Sequence, residues 1–204
     1  LYEEIEMPLL YVLASMEQQG VKLDTDMLFR YGKMLTKELD EIEQSIRDMA
    51  GDQTLNVSSP KQLSVILFDK LELGQKDQKS RSTDEEALTE LLGKHPIIPA
   101  ILEFRNLKKL LSTYIEPLPL MVSRETGKLH TTYNQALTAT GRLSSVKPNL
   151  QNIPIRTERG REIRRAFIPS HSGGSILSAD YSQIELRLMA HMSGDPDFIK
   201  AFKN

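Results

Sequence analysis

One apolar pattern in the first half of the chain limits what it can fold into. From Leu28 to Met49, apolar residues recur at steps of three and four, and polar or charged residues fill most positions between them. This spacing places the apolar side chains along one face of a long helix, in a stripe like that of a coiled coil. Asp24 is suited to cap the start of this helix, which ends before Gly51. We therefore predict a long helical arm that projects from a body.

The rest of the first 120 residues also carries helix signals. Apolar periodicity, start residues and prolines indicate four more helices, the third of which opens with a capping box formed by Thr83 and Glu86. These helices span 5–16, 60–68, the segment after Thr83, and the segment from Pro96 or Pro99 to Tyr114. The first half of the chain is therefore predicted to be helical.

The second half of the sequence has a different character. A glycine turn precedes β-prone residues 129–133, and two strand-like segments follow at 166–170 and 175–182. The last of these strands ends at Asp180, and an amphipathic helix follows it. The predicted fold class is α+β and mostly helical, with a small antiparallel sheet and a helix after the strand that carries Asp180. Since so few strands make an incomplete sheet, we expect the natural protein to continue beyond the given sequence.

Composition excludes several classes of protein. The chain contains no cysteine, so it has neither disulfides nor thiolate metal sites nor a cysteine nucleophile. Its formal charge is −2, 39% of its residues are hydrophobic, and it has no apolar run long enough to span a membrane. The first residues lack the basic start of a signal peptide. We expect a globular protein of the cytoplasm, with no membrane as a partner.

Charge is unevenly distributed along the chain. Residues 1–50 hold 11 acidic and 5 basic side chains, whereas residues 142–165 hold 7 basic and 2 acidic ones. A local block of arginine and lysine is typical of a surface that binds phosphate groups. The same block is compatible with a solvated arginine face, and charge alone does not separate the two interpretations.

Asp180 is the first candidate for a catalytic group. A carboxylate at the end of a strand lies where ligands commonly bind, and its oxygen atoms suit Mg²⁺, which prefers one or two carboxylates with water and phosphate oxygens. The alternative is structural, because Ser182 and Glu185 have capping-box spacing and Asp180 could help to cap the same helix. Spacing leaves both interpretations open.

A second candidate region is TATGRLSSVKPNLQNIP, residues 138–154. Its arginine and amide side chains can donate hydrogen bonds to the purine N3 and pyrimidine O2 atoms of the minor groove, which every base pair presents in similar places. Such a cluster tests the shape of a duplex without reading its sequence. The alternative is a polar turn whose amides bind nearby backbone groups.

Several stretches of the sequence, taken in order, resemble one known family. TATGRLSS, PNLQNIP, REIRRAF and SADYSQIELR resemble the start of the palm of family A DNA polymerases, the group that includes bacterial DNA polymerase I. Upstream, IEMPLLYVLASMEQQGVKLD, LNVSSPKQLSVILFDKL, STDEEAL and LLSTYIEPL are similar to the thumb of that family and the segment that enters it. The resemblance covers nearly the whole chain. It implies a segment entering the thumb at 1–20, a helical thumb at 21–122 and the first part of a palm at 123–204.

The resemblance implies a role for each residue around Asp180. This residue is similar to the first catalytic aspartate, which binds both Mg²⁺ ions of a two-metal site, and Tyr181 would offer its backbone carbonyl to the metal that holds the nucleotide. Glu185 is similar to the residue that disfavours a ribose 2′-hydroxyl and so selects deoxynucleotides. Gln183 and Ile184 would line the floor of the same nucleotide site.

The resemblance also implies a set of DNA contacts. Arg142 is similar to the arginine that contacts the primer-terminal base pair from the minor groove. Asn149 and Gln151 are similar to the amides that touch the duplex nearby. The arginines of 156–165 would lie near the duplex, and a thumb loop at 75–82 would approach the primer–template backbone. This loop departs from the family's KTGYST pattern, since QKDQKSRST lacks the Gly-Tyr pair. The implied DNA-binding residues are Arg142, Asn149, Gln151, Asn152, Arg164, Lys76, Lys79 and Arg81.

Together these roles imply the activity of a longer protein. Such a parent would be a monomeric, cytoplasmic and nucleoid-associated bacterial DNA-directed DNA polymerase, which extends a primer with deoxynucleoside triphosphates and two Mg²⁺ ions in replication and repair. The sequence lacks the family's fingers and the palm segment with the second metal-binding carboxylate. We therefore expect this chain alone to be inactive, to hold Mg²⁺ weakly or not at all, and to self-associate through unpaired strand edges.

Two other functions remain open. The chain alone could be a non-catalytic module that binds primer–template DNA in a salt-dependent way. A single-subunit RNA polymerase also uses a palm aspartate, although Glu185 and the thumb motifs argue against that family.

Overall fold

The computed structural model describes residues 1–74 and 81–202. It separates into two compact units, Leu1–Ser170 and His171–Asn204. The helices of the first unit are a π-helical turn (Tyr2–Glu6), α1 (Met7–Gln19), α2 (Thr25–Ala50), α3 (Pro60–Ser64) with a π-helical extension (Val65–Lys70), α4 (Glu85–Glu90), α5 (Ile97–Leu110) with a π-helical extension (Leu111–Ile115), α6 (Pro117–Leu120) and α7 (Glu158–Arg165). Its strands are β1 (Val21–Leu23), β2 (Lys128–Leu129), β3 (Thr132–Asn134), β4 (Ser144–Val146) and β5 (Phe167–Ile168). The second unit contains α8 (Ile184–Ser193) and α9 (Pro196–Ala201).

The long helix α2 forms where the apolar stripe predicts it. The Asp24 side chain accepts a hydrogen bond of 2.8 Å from the Met27 amide, which satisfies one of the free donors at the helix start. Gly51 follows the helix with a φ of 60°, a left-handed conformation that a residue without a β-carbon adopts readily. The stripe supplies buried side chains at Leu28, Leu35 and Ile46.

α5 supplies the facing side of the core. Ile98 and Ile101 in its first half belong to one apolar cluster, and Leu107 in its second half belongs to another, together with Leu28 and Leu35 of α2. Full burial of one such side chain stabilises the fold by about 1.5–3 kcal/mol, so these two helices hold the arm together. In the ranges that the structure describes, no helix is long and apolar enough to cross a membrane.

One predicted helix start is wrong. α4 is capped by Asp84, whose carboxylate accepts a hydrogen bond of 2.8 Å from the Ala87 amide, and not by Thr83. Aspartate is the stronger cap of the two. Thr83 has a different partner, since its carbonyl and hydroxyl oxygens accept hydrogen bonds from Arg105. Thr83 therefore ties the start of α4 to α5.

Two small antiparallel sheets complete the first unit. In the three-stranded sheet, β1 lies between β2 and β5, with Val21 opposite Leu129. The two-stranded ribbon pairs β3 with β4, with Tyr133 opposite Ser145. These elements confirm the predicted α+β fold, which is mostly helical and has small antiparallel sheets.

The second unit corrects one prediction. Residues 175–181 form neither strand nor helix, and the five described strands pair only with one another. A β-strand needs a hydrogen-bonded neighbour, so a β-prone segment without one stays irregular. The predicted strand that ends at Asp180 is therefore wrong for this structure. The predicted helix after Asp180 is present as α8, which ends at Gly194 with a φ of 67°.

Candidate nucleic-acid interface

The predicted minor-groove donors lie on two segments that flank β4. Arg142 precedes this strand, and Asn149 and Gln151 follow it. The buried Thr131, next to β3, donates a hydrogen bond of 2.7 Å to the Pro148 carbonyl. Because the hydrogen bond is buried, it holds the second segment firmly against the β3–β4 ribbon.

Hydrogen bonds settle how two amide side chains are oriented. The Gln151 backbone amide donates to Asn149 Oδ1 at 3.0 Å, and the Ser145 hydroxyl donates to the same oxygen at 3.3 Å. Asn149 therefore shapes the loop with its oxygen and keeps an NH₂ group whose chemistry is to donate. Gln151 Nε2 donates to the Leu143 carbonyl at 3.1 Å, which ties the two segments together. The amides thus form a polar turn and still expose their side chains to solvent.

Arg142 and Asn152 are also exposed, while their backbones are held in place. The Thr138 hydroxyl donates to the Arg142 carbonyl at 2.6 Å, and the Tyr114 hydroxyl donates to the Asn152 carbonyl. The structure therefore gathers the four predicted donors on one fixed polar loop system around β4.

A groove of about 1060 Å³ runs beside the C-terminal half of α5. Among the described residues that line it, five are basic and one, Asp84, is acidic. Such an excess of positive charge in a groove attracts anionic ligands such as phosphate groups. The five basic residues are Lys61, Arg81, Arg105, Lys108 and Lys109.

Most of these basic residues escaped the sequence analysis, which had named only Arg81. A signal was available, because Arg105, Lys108, Lys109 and Ser112 follow one another at helical steps of three, one and three. Residues with this spacing lie on one side of a helix. Uncharged residues separate Arg105 from the Lys108–Lys109 pair, so no long basic run marks the pattern.

A second cleft, of about 670 Å³, connects this groove to the polar loop system. Lys109 and Thr113 line both spaces, and Lys147, Asn149 and Asn152 line the cleft from the loop side. The two spaces therefore adjoin along the end of α5. We call the groove and the cleft together the basic track.

Two arginines of α7 bind other parts of the protein. Arg164, a predicted DNA contact, donates to the carbonyls of Ile153 and Pro154 at 3.1 and 3.2 Å. Arg165 forms an ion pair of 2.6 Å with Glu162. These two arginines of the basic block therefore bind groups within the protein, a role that neither of the two interpretations of the sequence had included.

Arg159, the first arginine of α7, forms ion pairs with Glu38 of α2 and Glu103 of α5. Burial alone lowers the pKa of Arg159, but the hydrogen bond and charge of Glu103 and the charge of Glu38 raise that pKa above its ordinary value. The guanidinium is therefore a permanent cation that joins three helices.

The predicted thumb-loop contacts are only partly visible. Arg81 lies in the groove, forms an ion pair of 2.5 Å with Asp69, and accepts a hydrogen bond from the Ser64 hydroxyl at its carbonyl. Lys76 and Lys79 lie outside the described residues.

Asp180 and Tyr181 are exposed, in the irregular segment before α8. This helix begins after Gln183, which has a left-handed φ of 50°, and no side chain in the described part of the chain caps it. The capping-box alternative for Ser182 and Glu185 is therefore wrong. Asp180 does not cap the helix either, which leaves its carboxylate as a ligand candidate.

The described residues supply only part of a metal site. Within residues 1–74 and 81–202, no group of three or more His, Asp or Glu side chains could hold an ion. One carboxylate with one carbonyl, from Asp180 and Tyr181, fits Mg²⁺, which takes few protein ligands beside water and phosphate oxygens. A two-ion site needs further ligands.

Comparison with known proteins decides the family. The model of DNA polymerase family A matches residues 25–204. The chain belongs to DNA polymerase family A. This result confirms the predicted resemblance to family A DNA polymerases.

The relatives of this family A chain are much longer proteins. It is 52% identical over 206 residues to DNA polymerase I from Bacillus subtilis (strain 168), which covers 100% of the chain and 23% of that relative. It is 49% identical over 207 residues to the thermostable DNA polymerase I of Thermus filiformis, covering 100% of the chain and 25% of that relative. The chain thus spans about a quarter of their length.

A solved structure agrees with this family A fold. The chain matches the POL domain of Pol1 from M. smegmatis, in complex with DNA primer-template and dNTP, with a TM-score of 0.89 and 40% sequence identity. The match covers 98% of this chain and 35% of that one.

Proposed function

We propose that this chain is the thumb and the first part of the palm of a DNA-directed DNA polymerase. Residues 1–20 would enter the thumb, 21–122 would form it, and 123–204 would begin the palm. The parent would be a monomer of the bacterial cytoplasm, associated with the nucleoid, that extends a primer on a template with deoxynucleoside triphosphates in replication and repair. The names of the relatives and the primer-template and dNTP of the similar structure support this proposal.

The basic track carries the proposal. A groove with five basic side chains adjoins the polar loop system through Lys109 and Thr113, so cations suited to phosphates lie beside donors suited to base edges. Duplex DNA presents these two kinds of acceptor side by side, with phosphates along the backbone and N3 or O2 atoms in the minor groove. A protein surface that offers both in one track matches a duplex better than it matches a lone anion.

Within the track the roles would divide by chemistry. Lysine and arginine side chains of α5 would contact phosphates of the primer–template, with Arg81, Lys76 and Lys79 extending this contact. The exposed donors Arg142, Asn149, Gln151 and Asn152 would meet the minor groove near the primer terminus. Arg164 would act through the carbonyls it holds in place, and its charge would add to the field around the duplex.

At the segment before α8, Asp180 and the Tyr181 carbonyl would hold Mg²⁺. The bound ions would activate the primer 3′-hydroxyl and stabilise the charge of the leaving pyrophosphate. Glu185 would exclude a ribose 2′-hydroxyl, and Gln183 and Ile184 would line the nucleotide site. Exposure of Asp180 and Tyr181 in this segment supports access by a ligand.

A second function applies to the chain by itself. It would bind primer–template DNA without copying it, and it would self-associate through exposed strand edges of its palm part. The observation that favours this function is that, among the described residues, no group of three or more acidic or histidine side chains could hold a metal ion. Templated incorporation of deoxynucleotides by the purified chain would contradict it.

The test of the basic track is a titration of labelled primer–template at several salt concentrations. Lys109→Gln should weaken binding and reduce the slope of log K against log salt by about 0.9, because one phosphate contact is lost. The matched control is Lys37→Gln, on an exposed part of α2 where Lys37 pairs only weakly with Glu41 at 3.7 Å. Equal slopes for wild type and Lys109→Gln, or no duplex binding by wild type, would contradict the proposal.

A further inference from the structure

Helix α7 is attached to α2 and α5 by one guanidinium as well as by apolar packing, since Ile163 lies in the same core cluster as Leu35 and Leu107. Arg159 pairs with Glu38 through one terminal nitrogen and with Glu103 through the other. The two carboxylates belong to α2 and α5, and the Arg159 side chain is only 25% exposed. A planar guanidinium can bridge two carboxylates in this way, whereas a lysine ammonium cannot present the same fork. We call Arg159, Glu38 and Glu103 the brace.

The same helix is attached to the polar loop system. Arg164, five residues after Arg159, holds the carbonyls of Ile153 and Pro154. Gly160 packs so closely on this loop that a β-carbon there would lie 2.5 Å from Pro154 Cβ and 2.7 Å from Pro154 O. No side chain larger than hydrogen fits this contact, so α7 and residue 154 move together.

The loop meets the arm at a second point. The Tyr114 hydroxyl, just after α5, donates to the Asn152 carbonyl. Residues 152–154 are therefore held on one side by the end of α5 and on the other by α7, which the brace fastens to α5 and α2. These contacts form a closed ring through α5, Arg159, α7 and the loop.

Arg159 itself is badly placed to bind a phosphate. Both of its terminal nitrogens face carboxylates, and an anionic phosphate would have to displace one of them. The effect of Arg159 on DNA binding must therefore act through the position of the loop that carries Asn149 and Gln151.

We propose that Arg159 is a positioning residue for duplex binding, which sets the place of the minor-groove donors relative to the basic side chains of α5. This inference rests on the proposed function, since it assumes that the basic track binds a duplex. It assigns to an arginine of the basic block a role that its charge alone does not suggest.

The first test measures the loop without DNA. Amide hydrogen exchange, followed by mass spectrometry, is compared for wild type, Arg159→Gln and Arg165→Gln. The last variant removes the same charge from the same helix at a 73% exposed side chain and serves as the control. We expect peptides covering 143–154 to exchange several-fold faster in Arg159→Gln only, because loop opening becomes easier. Equal exchange in Arg159→Gln and wild type would overturn the proposal.

The second test measures duplex binding as a double-mutant cycle with Asn149→Ala. Arg159→Gln should weaken binding of a labelled primer–template by about 3- to 10-fold, and most of this loss should vanish when Asn149 is already alanine, since coupled residues are not additive. The salt slope should stay unchanged, because no phosphate contact is lost. The Arg165→Gln effect should add independently to that of Asn149→Ala.

The outcomes separate this inference from the proposed function. Faster loop exchange with unaltered duplex binding would overturn the positioning role and leave the proposed function standing. Failure of the wild-type chain to bind any duplex would overturn both. Should Arg159→Gln not fold, Arg159→Lys keeps the charge but loses the fork, and the same two measurements on it decide the question, with a smaller loss of affinity expected.

Discussion

The helical arm and the segment before α8 that carries Asp180 both contain large apolar side chains, but those of the arm's core are buried, whereas Leu177 in the segment is exposed. In the arm, Leu28, Ile101 and Leu107 are fully buried. Two basic side chains of α5 are held by loop residues, since Arg105 donates to Thr83 and Lys108 donates to Ser58. In the segment, Leu177 is 90% exposed, and Asp180 lies in an irregular stretch. The basic side chains of α5, which are proposed to contact DNA, therefore lie on a packed helix, while the described residues of the second unit leave the Asp180 carboxylate without fixed partners.

The reason lies in how each side chain gains a position. The opposite face of α5 is packed in the core, so the orientation of this helix is fixed. Its packing therefore determines where the lysine side chains of α5 lie. Asp180 follows a β-prone stretch that gains no direction until a neighbouring strand binds its backbone. The proposed DNA contacts of α5 and the proposed metal ligand Asp180 therefore gain their positions in different ways, the first from helix packing and the second from a neighbouring strand.

The largest expected effect is the loss of nucleotide incorporation when Asp180 is replaced. In the longer polymerase proposed here, Asp180→Ala should reduce nucleotide incorporation by about a thousandfold, because metal ions stabilise the transition state by several kcal/mol and about 1.4 kcal/mol is a factor of ten. Primer–template affinity should change little, since the basic track is untouched. Single-turnover incorporation and duplex titration measure the two quantities. An Asp180→Ala enzyme that copies DNA at the normal rate would remove Asp180 from the mechanism.

A smaller effect is expected on the free energy of unfolding, which should respond differently to truncation of a buried and of an exposed apolar side chain. Ile101→Ala should lower the free energy of unfolding by about 2–5 kcal/mol, because it opens a cavity in the buried core between α5 and its neighbours. Leu177→Ala removes an equally large side chain from an exposed site and should change that free energy by less than about 0.5 kcal/mol. Urea denaturation followed by circular dichroism measures both. Similar losses for the two variants would mean that the segment around Asp180 is packed after all.

The smallest effect concerns pH and the start of α4. Hydrogen bonds from the Ser82 hydroxyl and the Ala87 amide lower the pKa of the exposed Asp84 below its ordinary value. Since the folded state holds this carboxyl ionised more strongly than the unfolded state, its stabilising contribution is present above the ordinary pKa of about 3.9. It is lost as the pH falls through the lower folded-state pKa.

Asp84→Asn provides the matched comparison for this pH effect. Asparagine caps helices nearly as well as aspartate, so the melting temperatures of the two proteins should differ slightly at pH 6 and converge as the pH falls from about 5 to 2. A gap that grows on acidification would contradict the sign of this argument. The measurement is thermal unfolding at a series of pH values.

Much of the fold follows from local sequence rules. The stripe from Leu28 to Met49, with Asp24 before it and Gly51 after it, was sufficient to predict α2, because helix periodicity and end signals are local properties. The cap of α4 shows the limit of these rules. Thr83 and Asp84 both have the chemistry of a cap. Aspartate is the stronger one, and Arg105, which lies 21 positions away from Asp84 on another helix, binds the Thr83 oxygens.

The candidate site also contains some features that local sequence predicts and others that depend on distant residues. Motifs in the sequence were enough to name Arg142, Asn149, Gln151 and Asp180 and to indicate the family, since these residue types and their order are written in the chain. The tertiary structure alone decided that Lys109 adjoins the loop and that Arg159 joins three helices. Both facts depend on groups brought together from distant positions, and a side chain's task is set by which neighbours reach it in space.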